Sequence, residues 1–272
     1  MPVRIVQSKQ NARLKELRRA LAKPSRESGE FAGIEGPNLV AEALRAGLRV
    51  PCVFVAEEKR SLLDEFAFAQ ETEILLAPRA LLDSVLETET PQSIAALVET
   101  PVWDWDAVLA GANGAAPLVI VLAGLQDPGN LGTILRSAEA FGASGVVSLP
   151  GTVSAWNAKS VRASAGSVFR VPLVAATFEE CAARLRKSRV PLWTTAVHDA
   201  KPIERVDLIG PVALMIGNEG NGVAVEFAAK TDGALTIPCP GPVESLNAAV
   251  AASVLLYEAA QQRVSNNKRG AR

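Results

Sequence analysis

The alternation of continuous apolar runs with amphipathic segments predicts an α/β protein. The pattern is clearest from Leu118 to Leu149, where the apolar run Leu118 to Ala123 is followed by a turn-rich segment and then a helical pattern. That helical pattern carries apolar residues at three- and four-residue spacing, at Ile134, Leu135, Ala138 and Phe141. A second apolar run, Val146 to Leu149, closes the stretch. Because parallel strands that are buried on both faces are continuously apolar, this stretch predicts a βαβ unit.

The chain after Leu149 continues the same alternation. Strands are predicted near residues 171–174, 191–196, 212–216 and 234–237, and helices near 157–165, 178–187 and 245–262. This order predicts a largely parallel sheet with helices on both faces.

The first hundred residues predict a second, smaller α/β unit. Strands are predicted near 30–36, 53–55, 74–76 and 94–98, and helices near 14–21, 39–46, 62–69 and 81–86. Residues 102–116 hold two tryptophans followed by glycine and asparagine, so we interpret them as a linker. We therefore expect a small domain at 1–101, the linker at 102–116, a larger domain at 117–264 and a disordered basic tail at 265–272.

Charge is unevenly distributed along the chain. The formal net charge is −1, yet residues 1–30 hold eight lysines and arginines against three glutamates, a local balance of +5. This balance suits a phosphate-bearing partner, although a solvated helix face would have the same composition. The three cysteines, Cys52, Cys181 and Cys239, are too far apart to indicate a disulfide framework or a metal cluster. No stretch resembles a signal peptide or a membrane span, so we expect a cytoplasmic protein without membrane contact.

The glycine-rich turn after the first apolar run of the larger domain does not fit a dinucleotide site. Its glycines, Gly124, Gly129 and Gly132, do not have the G-x-G-x-x-G spacing, and the second strand ends without a carboxylate for a ribose hydroxyl. A nicotinamide oxidoreductase is therefore disfavoured. The polar residues Asn130 and Arg136 stand out instead, although a helix N-cap and a solvated arginine would explain them equally well.

Two further polar loops follow predicted strands of the larger domain. Gly217 to Gly222, with the sequence GNEGNG, follows one strand, and Pro238 to Asn247, with the sequence PCPGPVESLN, follows another. Either loop alone is an ordinary turn. Three such loops at the carboxyl ends of parallel strands converge on one crevice, where sheets of this type bind ligands.

These three loops resemble the three motifs of the SpoU (TrmH) RNA 2′-O-ribose methyltransferases of the SPOUT superfamily. The likeness covers Leu118 to Glu258 and includes Asn130 through Arg136, the G-x-E-G-x-G form at Gly217 to Gly222, and the segment IPCPGPVESLNAAVAASVLLYE. The first hundred residues also resemble the small substrate-binding domain of this family. Asn218 replaces the serine that is common at that position, and both are turn residues.

The resemblance implies a deep trefoil knot, S-adenosylmethionine as cofactor, and a homodimer formed through the methyltransferase domain. The alanines Ala248, Ala249, Ala251, Ala252 and Ala259 of the last helix would permit close packing, although helix propensity also explains them. The resemblance places the cofactor against the strand ends and loops, at Leu122, Ala123, Gly124, Ile216, Gly217, Asn218, Glu219, Gly220, Ile237, Pro238 and Leu246. No metal is implied.

The resemblance also implies a catalytic set, namely Asn130, Arg136, Glu219, Ser245 and Asn247. Arg136 would act on the 2′-hydroxyl, and because an arginine rarely gives up a proton we interpret its role as orientation of that hydroxyl. Asn130 and Asn247 would hold both the target ribose and Arg136. Glu219 would order either the second loop or the arginine. Ser245 would cap the last helix. The only histidine, His198, lies outside all three motifs. The residues expected to contact RNA phosphates are Arg13, Arg18, Arg19, Lys159, Arg162 and Arg170.

The resemblance therefore implies an enzyme that methylates a ribose 2′-hydroxyl of structured RNA. It favours large-subunit rRNA, because minimal tRNA enzymes of this family often lack a separate N-terminal domain. A tRNA ribose methyltransferase is one alternative, and a non-catalytic RNA-binding assembly factor with the same fold is another. RNA rather than DNA is the expected partner.

Overall fold

The computed structural model describes residues 2–22, 30–86, 88–111, 114–243 and 245–270, with side chains as far as residue 266. Lys23 and Arg26 of the basic segment, Asn113 of the expected linker and the last two residues of the expected tail lie outside these ranges. The chain forms two compact units. Unit 1 comprises Met1–Val102 together with Ser154–Arg170, and unit 2 comprises Trp103–Val153 together with Val171–Arg272.

The described elements follow one another in α/β order. As far as Leu109 they are β1 (Val3–Ile5), α1 (Ala12–Ala22), β2 (Phe31–Glu35), α2 (Pro37–Arg45), β3 (Cys52–Ala56), β4 (Glu73–Ala77), α3 (Arg79–Asp83), β5 (Ile94–Glu99) and α4 (Trp105–Leu109). From Leu118 onwards they are β6 (Leu118–Leu122), α5 (Pro128–Ala140), β7 (Gly145–Ser148), α6 (Ala158–Ser164), β8 (Leu173–Ala175), α7 (Phe178–Lys187), β9 (Leu192–Thr195), β10 (Lys201–Pro202), β11 (Val212–Ile216), α8 (Val225–Ala228), β12 (Gly233–Thr236) and α9 (Ala248–Gly270).

Unit 1 is built on a five-stranded mixed sheet with the strand order β1-β4-β3-β5-β2. Strand β3 lies at the centre and all five of its residues are buried, which explains its continuous apolar sequence. Helix α1 buries Leu14, Leu17, Ala20 and Leu21, while the arginines between them remain outside the core. The predicted amphipathic helix is thereby confirmed.

A segment from the second half of the chain completes unit 1. Helix α6 lies within Ser154–Arg170, and the Arg170 guanidinium donates to the Glu42 carboxylate of α2 at 2.8 Å. Trp156 and Phe169 of the same segment stack with their ring centroids 6.0 Å apart. Unit 1 is therefore discontinuous in sequence.

Unit 2 is built on a seven-stranded sheet with the strand order β10-β12-β9-β11-β6-β7-β8. Every pairing in this sheet is parallel, as the sequence pattern predicts. The central strands β6 and β11 are buried at every residue. Because all strands run the same way, the loops after β6, β11 and β12 leave the sheet at the same edge.

The last helix packs within unit 2. Ser137 of α5 and Ser253 of α9 are hydrogen-bonded through their hydroxyls at 2.7 Å. Nearer its end, the Arg263 guanidinium donates to four backbone carbonyls, those of Ala116, Pro117, Leu208 and Gly210, at 2.6 to 3.2 Å. These bonds link α9 to the chain that enters β6 and β11.

Three expectations about local structure are wrong, and two short strands, β1 and β10, are not predicted. The helix expected at residues 62–69 is a 3-10 helix at Glu57–Glu65, which has a non-helical residue, Lys59, in its interior. The expected linker contains α4, whose Trp105 and Val108 are buried in unit 2. The expected tail continues α9 as far as Gly270. Strands β1 and β10 lack a clear apolar signal, because β1 is fully exposed and β10 is only two residues long. Among the described helices, none has the length and apolar character needed to cross a bilayer.

Candidate active site

The predicted catalytic and cofactor-binding residues lie at the carboxyl edge of the unit 2 sheet, on three loops, the strand ends before them and helix α5. We call residues 123–127 after β6 the first loop, residues 217–222 after β11 the second loop, and residues 237–247 after β12 the third loop. Within the third loop, Glu244 lies outside the described residues. Strands β6 and β11 are paired neighbours, so the first and second loops start side by side.

The first loop turns sharply into α5. Gly124 has φ +75°, a left-handed conformation that favours glycine, and its N–H donates to the Thr152 hydroxyl at 3.1 Å. The Thr152 hydroxyl in turn donates to the Leu122 carbonyl at 3.1 Å. Asp127 accepts the N–H of Asn130 at 2.8 Å and so caps the helix that begins at Pro128. The backbone around Gly124 is thus fixed on both sides.

The second loop closes on itself. Asn218 and Gly222 exchange two backbone hydrogen bonds, both 2.9 Å long, and the Asn218 side chain accepts the N–H of Gly220 at 2.8 Å. A Cβ at Gly217 would lie 2.1 Å from the carbonyl carbon of Gly222, so only glycine fits there. The Asn218 amide also donates to the Gly124 carbonyl at 2.8 Å. The side chain of Asn218 therefore joins the first and second loops.

Glu219 makes the strongest link between the first two loops. Its carboxylate accepts the backbone N–H groups of Gln126 and Asp127 at 3.1 and 3.0 Å, and the side-chain amide of Asn130 at 3.0 Å. Partial burial alone would raise the pKa of Glu219. The hydrogen bonds from Asn130, Asp127 and Gln126 outweigh that effect and lower the pKa below its ordinary value. The carboxylate therefore orders the first loop, whereas the sequence predicts that it orders the second loop or Arg136.

Asn247 brings the third loop to the same place. Its amide donates to the Asn130 side-chain oxygen at 3.1 Å. Its own oxygen accepts the N–H groups of Ala249 and Val250 at 2.9 and 3.2 Å, which caps α9. The cap expected at Ser245 is therefore wrong, because α9 begins at Ala248 and Asn247 occupies the preceding position.

Arg136 lies on α5, six residues beyond Asn130. Its side chain is exposed and has no hydrogen bond or ion pair with any residue that the structure describes. The contact with Asn130 or Asn247 that the resemblance implies is therefore not formed in this structure. Ser245 is likewise exposed. An exposed cation that has no partner among the described residues is available to a phosphate or a hydroxyl.

The residues expected to hold the cofactor line the same edge. Leu122, Ala123, Ile216 and Gly217 are buried where β6 and β11 end, while Gly124, Asn218, Ile237 and Leu246 are half-buried and Glu219, Gly220 and Pro238 are exposed. A Cβ at Gly124 would meet no atom within 4 Å, and one at Gly220 would meet only the Asn218 oxygen at 3.4 Å. Open space beside bare backbone, with apolar Ile237 and Leu246 in reach of solvent, fits a nucleoside that is recognised by backbone groups.

The six basic residues expected to contact RNA all belong to unit 1. Arg13 donates to Glu16 at 2.8 Å and to Glu73 at 3.1 Å, and the hydrogen bond to Glu16 is the main reason that its pKa is raised. Arg170 is paired with Glu42. The charges of these two arginines are therefore compensated within the unit.

The other four basic residues have exposed side chains: Arg18, Arg19, Lys159 and Arg162. Within the described residues, no ion pair involves Arg18, Arg19 or Arg162. Arg18, Arg19 and Arg162 are therefore the members of the set whose charges are available to a phosphate-bearing partner.

Two residues that shape the site, Asp127 and Thr152, are not among those predicted from the sequence. Asp127 carried a usable signal, because aspartate followed by proline is typical of a helix start. Thr152 carried none, since its contact with the first loop spans 28 residues of chain.

The chain is similar to known protein families over most of its length. Residues 117–257 match the SpoU rRNA Methylase family and residues 11–96 match the MRM3-like substrate binding domain. The chain is 34% identical over 252 residues to the Bacillus subtilis 23S rRNA (guanosine(2553)-2′-O)-methyltransferase RlmP, with 93% of this chain and 97% of the relative covered. It is 41% identical over 160 residues to the Xanthomonas campestris 23S rRNA (guanosine-2′-O-)-methyltransferase RlmB. This match covers 58% of this chain and 64% of the relative.

A solved structure gives the same result. The SpoU methyltransferase AviRb from Streptomyces viridochromogenes, in complex with the cofactor AdoMet, superposes with a TM-score of 0.81 at 29% identity. The superposition covers 94% of this chain and 99% of that one.

Proposed function

Because the chain belongs to the SpoU rRNA methylase family, we propose that it transfers a methyl group from S-adenosylmethionine to a ribose 2′-hydroxyl of large-subunit rRNA. The observation that carries this proposal is the hydrogen-bonded network at the carboxyl edge of the unit 2 sheet. There Asn130 lies between Glu219 of the second loop and Asn247 of the third loop. Intact polar residues at all three loops argue against a non-catalytic RNA-binding factor with the same fold.

Positioning is the main task of this site, because methyl transfer to a hydroxyl is an in-line displacement. When bound, S-adenosylmethionine supplies an electrophilic methyl group on a sulfonium. The backbone at Gly124 and Gly220 lets the cofactor approach closely, because no side chain stands in the way. The N–H groups of both glycines are already hydrogen-bonded, so their carbonyl oxygens are the groups that can still accept. Ile237 and Leu246 offer apolar contacts to the adenosine. Glu219 fixes the first loop against the second and so sets the shape of the cradle.

The two carboxylates that the structure describes at the site are both engaged, because Glu219 accepts three hydrogen bonds and Asp127 caps α5. We assign Arg136 to orienting the 2′-hydroxyl and the neighbouring phosphate, with the hydroxyl proton passing to solvent late in the transfer. Asn130 and Asn247 are assigned to the target ribose. Ser245 is assigned to the same site from the third loop.

The domain composition supports rRNA as the substrate class. Residues 11–96 match a substrate-binding domain, and the relatives RlmP and RlmB are named as 23S rRNA 2′-O-methyltransferases. The exposed basic residues of unit 1, Arg18, Arg19 and Arg162, would contact phosphates. The same substrate would place the protein in the cytoplasm.

We also propose that the protein is a homodimer through unit 2. The alanines Ala248, Ala249, Ala252 and Ala259 are buried within the unit, so they do not offer a face to a partner. The opposite face of α9 does, because Val250, Val254, Tyr257 and Val264 are exposed at helical spacing. Size-exclusion chromatography with light scattering of wild type and Val254→Glu tests this part of the proposal, and a monomeric wild type would refute it.

The trefoil knot remains part of the proposal. The chain runs from β12, which lies two strands from β11, to Asn247 beside Asn130, and therefore crosses the carboxyl edge of the sheet. That path is compatible with a knot.

Mass-spectrometric mapping of 2′-O-methylated nucleotides in rRNA and tRNA, from cells with and without this gene, tests the activity. We expect one methylated ribose to disappear from large-subunit rRNA and to return when purified protein and S-adenosylmethionine are added. A loss confined to tRNA would select the tRNA enzyme. No change in either pool would favour the binding factor.

A further inference from the structure

A second basic surface lies on unit 2, at the edge of the sheet where the strands begin. The last turn of α7 and the residues after it have the sequence RLRKSR, with cations at Arg184, Arg186, Lys187 and Arg189. All four side chains are exposed, and none is paired with an acidic residue in the part of the chain that the structure describes. We call these four residues, together with Lys230, the basic edge patch.

The helix dipole does not account for this patch. The end of a helix carries about half an elementary negative charge, which one cation in the last turn compensates. Arg189 lies beyond the end of α7 and has φ +56°, a left-handed conformation that favours glycine. An arginine at this position places a guanidinium where glycine would suit the fold better. Non-glycine residues in such conformations are found often at functional sites.

A cavity of about 270 Å³ opens in the middle of the patch. Arg186, Arg189 and Lys230 provide its cations, and Leu185, Val190, Pro191 and Leu192 are among its apolar lining residues. Among the lining residues, the one acid is Asp232, whose carboxylate accepts the Leu192 N–H at 2.8 Å. Lys230 is itself 3.7 Å from the Glu179 carboxylate.

This combination matches the parts of an unpaired nucleotide. Cations attract its phosphates, arginine guanidinium planes stack on bases, and a carboxylate accepts a base amino group. An acidic protein surface would use the cations but not the apolar cavity or Asp232. RNA is therefore the partner that the whole patch fits best.

The patch and the candidate active site lie at opposite edges of the unit 2 sheet, separated by the length of a strand. Leu192 begins β9 and Asp232 directly precedes β12, whereas the three site loops follow strand ends. Strands β9 and β12 are each four residues long, and a strand of that length spans about 13 Å. An RNA that reaches both edges must therefore extend across unit 2.

We propose that the basic edge patch is a second RNA-binding surface, at which Arg186 and Arg189 contact phosphates around one unpaired nucleotide in the cavity. The inference rests on the proposed function only in taking RNA as the partner. It adds a contact outside both the methyl-transfer site and the basic residues of unit 1.

The test measures RNA affinity against salt concentration for wild type and the double variant Arg186→Gln, Arg189→Gly. The probes are a fluorescein-labelled RNA hairpin with an unpaired loop and a fully paired duplex with the same stem. We expect the double variant to bind the hairpin about tenfold more weakly at physiological salt. Its slope of log affinity against log salt falls by roughly 0.7 to 0.9 for each lost contact. The loss is smaller for the duplex, which offers phosphates but no free base.

Two controls separate binding from folding. Arg189→Gly alone should leave the melting temperature unchanged or raise it, because glycine favours the left-handed conformation. Arg205→Gln removes an exposed arginine of unit 2 that lies between Glu204 and Asp207, and it should leave the slope unchanged.

Transfer of tritiated methyl groups to total rRNA by the wild-type protein is measured in parallel. An unchanged slope in the double variant, with methyl transfer present in wild type, would overturn the second surface, and an acidic protein partner would give this result. A reduced slope without methyl transfer would uphold the surface and count against the proposed function.

Discussion

The side-chain amide of Asn130 donates to the Glu219 carboxylate at 3.0 Å, across 89 residues of chain. Glu219 holds two backbone N–H groups of the first loop with the same carboxylate, so one side chain fixes both the loop and the helix that follows it. The side-chain oxygen of Asn130 in turn accepts a hydrogen bond from the side-chain amide of Asn247. The three loops of the site therefore share a single hydrogen-bonded chain, and a change at any member should be felt by the other two.

Glu219→Gln should impair transfer more than it impairs folding. Glutamine keeps the size of the side chain but offers one acceptor oxygen to three donors. We expect kcat/KM to fall about 10- to 100-fold through misplacement of the loops, with a loss of about 1 kcal/mol in the free energy of unfolding. Steady-state kinetics and urea unfolding measure the two effects. Glu226→Gln, on exposed α8, is the matched control, and equal activity in both variants would contradict the role of Glu219.

The stability difference between wild type and Glu219→Gln should depend on pH. The pKa of Glu219 is lowered in the folded protein, so the ionised carboxylate stabilises the fold above its unfolded pKa of about 4.3. That contribution is lost as the pH falls through the folded pKa. We expect a constant difference in melting temperature from pH 8 to about 5, which shrinks at lower pH. A difference that does not change down to pH 3 would refute the assignment.

Arg136→Ala should remove transfer without disturbing the fold. The side chain is exposed and has no partner among the described residues, so we expect the free energy of unfolding to change by less than about 0.5 kcal/mol. Because the guanidinium is assigned to the reacting hydroxyl and phosphate, kcat should fall at least about 100-fold. Calorimetry should give an S-adenosylmethionine affinity within a few-fold of wild type. Normal turnover, or lost cofactor binding, would show that the assigned role is wrong.

Substitutions of two arginines of α1 should have different effects, one on stability and the other on RNA binding. Arg13→Gln breaks contacts to Glu16 and Glu73, and we expect it to cost about 1 kcal/mol of unfolding free energy with little effect on RNA affinity. Arg18→Gln has no such partners to lose. It should lower the salt slope of RNA binding by roughly 0.7 to 0.9 and leave stability unchanged. If the two variants behave alike, α1 does not bind RNA.

Cys239 should report cofactor binding. Burial raises the pKa values of Cys52 and Cys181 to about 12, whereas Cys239 is exposed on the third loop beside Pro238. Because the thiolate is the reactive form, a maleimide should label one thiol per native chain. We expect saturating S-adenosylmethionine to slow this labelling several-fold. Cys239→Ser should take up no label, and an unchanged rate with the cofactor would place its site elsewhere.

The sequence predicts the architecture well where burial dominates. Strands β6 and β11 are buried at every residue, and their apolar runs identify them directly. Prediction fails where structure depends on distant partners. Trp105 gives no sign that it packs into unit 2, and exposed β1 is held by pairing with β4 alone.

The site is predictable to a similar degree. The resemblance supplies the residues at all three loops, but it does not supply the direction of their hydrogen bonds. Ser245 and Asn247 are equally good caps from the sequence, and only the position of the first turn of α9 decides between them. Likewise, no local pattern tells that Arg13 is committed to Glu73, which lies 60 residues away.

The discontinuity of unit 1 limits how freely this protein can exchange parts. A chimera that takes residues 1–102 from a relative keeps α6 and Arg170 from the original chain. The grafted α2 must then accommodate a foreign Arg170 where Glu42 now pairs with it. The structural unit that can be exchanged is therefore Met1–Val102 together with Ser154–Arg170, and a successful graft must carry both segments.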